Sequence, residues 1–211
     1  MKRILIILSL ILCAVFCFSS PATAQQDVMQ QAMEGYKNLT SVKADVKKTV
    51  HNTMVTKDVV TTGTFYFKKP AMMCITTNAG KDQLLTNGES FTIVQNGKPS
   101  TANAKGNSSL TPLVNAIKGI TQGKADTDLS DVADVDMERE GDLMIMTIAP
   151  ITKSAAEKRK LMFQSFVITI DTKAGELKSV RLNEKGQNYQ LYELSNFKRD
   201  VKIDDAVFKV K

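Results

Sequence analysis

The chain has 211 residues, 43% of them hydrophobic and 24% charged, with a formal net charge of +6. That balance is ordinary for a globular protein and argues against wholesale disorder and against a multi-span membrane protein. A single histidine (His51), no tryptophan and only three cysteines exclude a His-rich metal site, a histidine relay and a disulfide scaffold.

Met1–Ala24 reads as a secretory signal. Lys2 and Arg3 supply the positive start, Ile4–Phe18 the apolar run, and Ala22-Thr23-Ala24 the small-residue cleavage pattern. The run is shorter than the ~20 residues of a spanning helix. Cys13 and Cys17 follow the bulky Leu12 and Phe16, unlike a cysteine destined for lipid attachment. Cleavage after Ala24 is therefore expected, leaving residues 25–211 as one exported domain. Cys74 would be its lone thiol, expected to be buried. Loss of Lys2 and Arg3 lowers the net charge from +6 to +4, which is too mild to suggest nucleic-acid binding.

Asp27–Leu39 has helical spacing, with Val28, Ala32, Tyr36 and Leu39 on one face. The period then changes to two. Val42, Ala44, Val46, Val50 and Met54 share one parity of a long strand, and His51 falls on the other, polar, parity. Thr61–Lys69 and Met72–Thr77 are the next strands. Gln83–Thr86 and Ser90–Gln95 flank Asn87-Gly88, a strong hairpin signal, and Asn96-Gly97 is another turn. Pro99–Ser109 is small, polar and turn-rich, and is expected to be a loop. Thr111-Pro112 opens a short helix with the apolar stripe Leu113, Val114, Ile117 and Ile120. Val135–Glu140, Leu143–Ala149, Phe163–Asp171, Leu177–Asn183 and Tyr189–Leu194 are further strands, and the tail Phe197–Val210 is expected to add one more. The basic run Lys153–Lys160 reads as a solvated loop, with a membrane-surface or partner contact as the sharper reading. Sequential hairpins of this kind form an antiparallel meander that curls toward a barrel.

No nucleophile elbow, phosphate loop or dinucleotide glycine pattern is present. Asp126, Asp128, Asp131, Asp134 and Asp136 cluster, but without the glycine and terminal glutamate of a calcium loop, so they read as an acidic connector. No metal or cofactor is expected, and binding is favoured over catalysis. Nine methionines fall beyond Ala24, either as core filling or as a plastic lining for flexible hydrocarbon.

The stretch Gly63-Thr-Phe65-Tyr-Phe67-Lys-Lys69-Pro70-Ala-Met-Met73 resembles a motif of the outer-membrane lipoprotein carrier (LolA) family, and Leu84-Leu85-Thr86-Asn87-Gly88 followed by Phe91 resembles that family's hairpin. The resemblance implies a mainly β protein with helices (α+β). Its core would be an unclosed antiparallel β-barrel of about ten to eleven strands, lidded by short helices over an apolar cavity. It implies no enzyme but a monomeric periplasmic carrier. Such a carrier receives acylated lipoproteins from an inner-membrane ABC transporter and delivers them to an outer-membrane acceptor. The alternative on the same fold is an envelope sensor recognising lipoproteins or protein segments. By this resemblance Phe65, Phe67, Met73, Ile75, Phe91 and Ile93 would line the cavity, and Leu113, Val114, Ile117 and Ile120 would cover it. The family's barrel arginine, which latches lid to barrel, falls on Lys69. Lysine keeps the charge and loses the planar donor fork. Phe65, Phe67 and Lys69 are expected on one face, as are Met73 and Ile75.

Overall fold

Alternation of apolar and polar residues gives strands wherever one face is covered, and it does so along most of this chain. The computed structural model describes residues 38–87, 90–103, 110–113, 115 and 133–210. The strands are β1 (Ser41–His51), β2 (Val59–Lys68), β3 (Met72–Thr77), β4 (Asp82–Thr86), β5 (Ser90–Gln95), β6 (Lys98–Asn103), β7 (Ala133–Glu140), β8 (Leu143–Pro150), β9 (Ser165–Asp171), β10 (Glu176–Asn183) and β11 (Tyr189–Arg199). They form one sheet in the order β6-β5-β4-β3-β2-β1-β11-β10-β9-β8-β7. Every neighbouring pair is antiparallel. The sheet is not closed: β6 and β7 are its two edges, and residues 104–132 connect one edge to the other. The expected leader, the Asp27–Leu39 helix up to residue 37, Gly88, Val114, Ile117, Ile120, Asp126, Asp128 and Asp131 lie outside the described residues.

One face carries the main core. Val42, Ala44 and Val46 of β1 continue onto Phe65 and Phe67, then Met73 and Ile75, Leu84, and Phe91 and Ile93. On the other side they continue onto Leu194, Val180, Ile168 and Met146, all in one buried cluster. The opposite face has a smaller cluster, in which Cys74 and Leu85 are covered by Ile203 and Phe208 from the tail. Cys74 is fully buried, as expected. The sheet's central seam is tied at one end by Asp200, whose Oδ1 accepts from the backbone N–H (2.9 Å) and hydroxyl (2.7 Å) of Thr40. Those bonds hold the Asp200 carboxyl below its ordinary pKa.

Four local expectations are corrected. Pro99–Asn103 is not loop but most of β6. Asn96 and Gly97 both take positive φ (51° and 76°), so the turn folds the chain back onto β5, with Pro99 opposite Val94. An edge strand tolerates a proline because its outer N–H has no ladder partner to lose. The tail beyond Arg199 is not a strand. It runs as extended chain into a 3-10 turn at Asp205–Phe208, capped by Asp204, whose Oδ1 accepts from the backbone N–H of Ala206. Its apolar residues cover the outer face rather than extend the ladder. The basic run is not a plain loop, because Ala155–Lys160 is helical. Ser154 Oγ accepts from the backbone N–H of Glu157 (3.2 Å), and Glu157 Oε2 accepts from that of Lys153 (2.7 Å). Finally, β1 ends at His51, so Met54 sits in the following turn, 90% exposed, and not on the apolar face.

Candidate functional site

The register sets the inward side chains of the first half of the sheet in rows. Phe67 lies opposite Met73, and Thr86 opposite Phe91. Phe65 lies opposite Ile75, and Leu84 opposite Ile93. The six residues expected to line a cavity therefore occupy two adjacent rows across β2, β3, β4 and β5. All are buried within the main apolar cluster. Leu113, at a helical stretch beginning at Thr111, is buried in that cluster together with Leu110. Lys69 lies one residue beyond the end of β2 and is half-buried. Its backbone N–H donates to the carbonyl of Thr40 at 3.0 Å.

The second half of the sheet supplies an equal share of this surface. Met144, Met146 and Ile148 of β8, Phe166, Ile168 and Ile170 of β9, and Val180 and Leu182 of β10 are buried on the same side. Sequence reasoning did not assign them to the site. The signal that could have found them is the strict alternation in Leu143–Pro150 and Ser165–Asp171, which buries every second residue.

Toward the end of the sheet where β1 finishes, the inward rows turn polar. Lys48 interrupts the apolar parity of β1 and is buried, its Nζ 3.5 Å from Asp82 Oδ2 and 5.5 Å from the ring centre of Tyr192. Asp82 belongs to β4, three strands away, so the pair reaches across the concave face. The inward positions crossed on the way are Thr61, Gly63 and Thr77, all small. Asp82 Oδ1 also accepts from the backbone N–H of Asn96 at 3.0 Å. Tyr192 Oη donates to Gln190 Oε1 (3.1 Å), and Gln190 Nε2 donates to Glu184 Oε1 (2.8 Å). Burial first, and then the negative charges of Asp82 and Glu184, push the Tyr192 phenol far above its ordinary pKa. It stays neutral and acts as a hydrogen-bond donor.

His51 lies on the outer face as expected but is not simply solvated. Its Nδ1 is 2.7 Å from Asp58 Oδ1, and its ring stacks on Tyr189 at 4.9 Å. Asp134 and Asp136 are exposed positions of β7. Among the described residues, no group of three His, Cys, Asp or Glu is placed to hold a metal ion. The arrangement is a largely apolar face of the sheet with a polar strip at one end.

The family model described as outer membrane lipoprotein carrier protein LolA matches residues 37–211. No curated protein matches the chain. Among solved structures, a DUF1329 family protein from Desulfovibrio piger is similar with a TM-score of 0.50 at 10% identity, covering 90% of this chain and 98% of its own. A LolA superfamily protein from Nitrosomonas europaea has a TM-score of 0.40 at 10% identity, covering 87% of this chain and 96% of its own. At 10% identity the first of these likenesses speaks to the fold alone.

Proposed function

The chain belongs to the outer membrane lipoprotein carrier protein family, a carrier rather than an enzyme family, and on that premise we propose that it is a periplasmic carrier of acylated lipoproteins. In this reading the leader is removed after Ala24. The cargo arrives from an inner-membrane ABC transporter and leaves to an outer-membrane acceptor. The observation that carries the reading is the open sheet with an apolar concave face, on which Phe65, Phe67, Met73, Ile75, Phe91 and Ile93 lie together. Each buried CH₂ of an acyl chain is worth about 0.8 kcal/mol, so lipoprotein tails need such a shelter to cross water. A sheet that is not closed can widen or narrow without breaking a ladder, which suits loading and release.

The stripe of Leu113, Val114, Ile117 and Ile120 acts as the cover, and Lys69 as the latch between cover and sheet. The test is mass spectrometry of lipid and protein recovered with the chain from the envelope. Acylated lipoprotein is the expected finding. An empty protein recovered with non-lipidated partners would overturn the carrier reading in favour of an interaction module. Lys69→Leu is expected to change the rate of cargo release in a transfer assay. An unchanged rate would remove Lys69 from the mechanism while leaving the carrier reading intact.

A further inference from the structure

Antiparallel order fixes which loops share an end of the sheet. The turn after β1 (residues 52–58), the segment between β8 and β9 (residues 151–164) and the turn between β10 and β11 (residues 184–188) all lie at one end. They also touch one another. Thr53 donates from its backbone N–H to Asn188 Oδ1 (2.9 Å) and from its hydroxyl to the Gly186 carbonyl (3.3 Å). Lys185 Nζ donates to the Arg159 carbonyl.

Seven large apolar side chains are exposed among the described residues, and six belong to this end. Met54 is 90% exposed, and Val55, Val59, Val60, Ile151 and Met162 lie between 44% and 58%. A surface normally scatters such residues singly, so their gathering at one end calls for a partner. The same loops carry exposed Lys57, Lys153, Lys158, Arg159, Lys160 and Lys185. Three carboxylates share these loops with the six cations, and each carboxylate has a hydrogen-bond partner. Asp58 is held by His51, Glu157 by the Lys153 backbone N–H, and Glu184 by Gln190. The helix Ala155–Lys160 buries none of its side chains.

We propose that this end of the sheet docks onto an anionic lipid bilayer. Met54 and Val55 enter the headgroup boundary, and the cations of the β8–β9 segment and Lys185 meet lipid phosphates. Apolar tips combined with Lys and Arg are the chemistry of interfacial binding, in which hydrocarbon burial and attraction to anionic lipid add. An acidic protein surface would match the cations but would leave a 90% exposed methionine at the tip without a role. The acidic side chains Asp134 and Asp136 on the edge strand β7 flank this end, so lipid charge and salt dependence are the deciding readouts. The proposal does not depend on the cargo, and its test involves none, so it and the carrier reading fail separately.

The experiment is co-sedimentation of the chain lacking residues 1–24 with vesicles of phosphatidylcholine and phosphatidylglycerol in equal parts. Pure phosphatidylcholine vesicles are the comparison, each at low and high salt. Binding to the anionic vesicles that weakens with salt is expected. Lys158→Gln, Arg159→Gln and Lys160→Gln together should lower the partition coefficient on the order of a hundredfold. Met54→Asp with Val55→Asp should lower it by about tenfold or more. An unchanged melting temperature in both variants confirms that the fold is intact. Absence of binding, equal binding to neutral vesicles, or binding that neither variant weakens would overturn the proposal. So would retention only on vesicles that carry membrane proteins, which would assign this end to a protein partner instead.

Discussion

Gly63 faces inward on β2 between Val46 and Thr77, in the stretch that resembles the carrier motif. A Cβ built there would lie 1.7 Å from the Thr76 carbonyl oxygen and within 3 Å of two further backbone atoms. Backbone cannot step aside as a flexible side chain can. Gly63→Ala should therefore cost about 3 kcal/mol, the upper end of the overpacking range, read as a lowered urea midpoint. An unchanged midpoint would show that the strands do not approach so closely. The glycine was visible in the sequence, but its reason was not, because the approach depends on how β2 and β3 bend together. Lys48 is the opposite case. A lysine on the apolar parity of β1 can be read directly from the register, and it announces a buried partner whose identity, Asp82, only the fold supplies. Beside it, Tyr192 gives a pH prediction. The unfolded chain releases the phenolic proton near the ordinary value of 10.0, the folded one only well above it. The folded state thus holds the proton more tightly, and this stabilisation is complete below pH 10 and is lost as pH rises further. Tyr192→Phe should flatten the fall in stability above pH 10, measured as melting temperature against pH. An equally steep fall would mean that another group governs alkaline unfolding.

At the scale of elements, alternation located most strands within a residue or two of their observed limits, because half-buried strands must alternate. It failed where the chemistry was not alternation. β6 is pinned by the Asn96-Gly97 turn and by its neighbour rather than by its own polar composition. The helix Ala155–Lys160 depends on a cap that is legible in the sequence as Ser154-Ala-Ala-Glu157, inside a run whose charges suggest a loop. The tail contains apolar residues that suggested a strand, yet Ile203 and Phe208 cover the outer face above Cys74 and Leu85. That packing is testable through the thiol. Cys74 has no exposed surface, so it should resist labelling in the folded protein. Phe208→Ala should lower stability by about 2 kcal/mol, less than for a central phenylalanine because the ring keeps some contact with water. It should also raise the labelling rate of Cys74 severalfold at neutral pH through local opening of the tail. A labelling rate that stays at the wild-type level would show that the tail does not guard that face.

Taken whole, the described strands form one curled sheet in which β1 and β11 lie in the middle and β6 and β7 at the edges. Its inner surface is apolar over most of its span. At the end where β1 finishes, the Lys48–Asp82 pair crosses from β1 to β4. On the carrier reading proposed above, stability depends on what fills the inner side of the sheet. A ligand that binds only the folded chain adds RT ln(1 + [L]/Kd), about 2.7 kcal/mol at a hundred times Kd. For a chain of this size each kcal/mol moves the melting temperature by roughly 2–4 °C. Extraction of co-purified lipid with detergent, followed by removal of the detergent, should therefore lower the melting temperature by about 5–10 °C. Adding back the extracted material should restore it. An ordinary close-packed core would show neither the fall nor the recovery, because hydrocarbon could enter only by displacing side chains already in contact. A melting temperature indifferent to extraction would identify Phe65, Phe67 and their neighbours as core rather than lining, and the carrier reading would lose its physical basis.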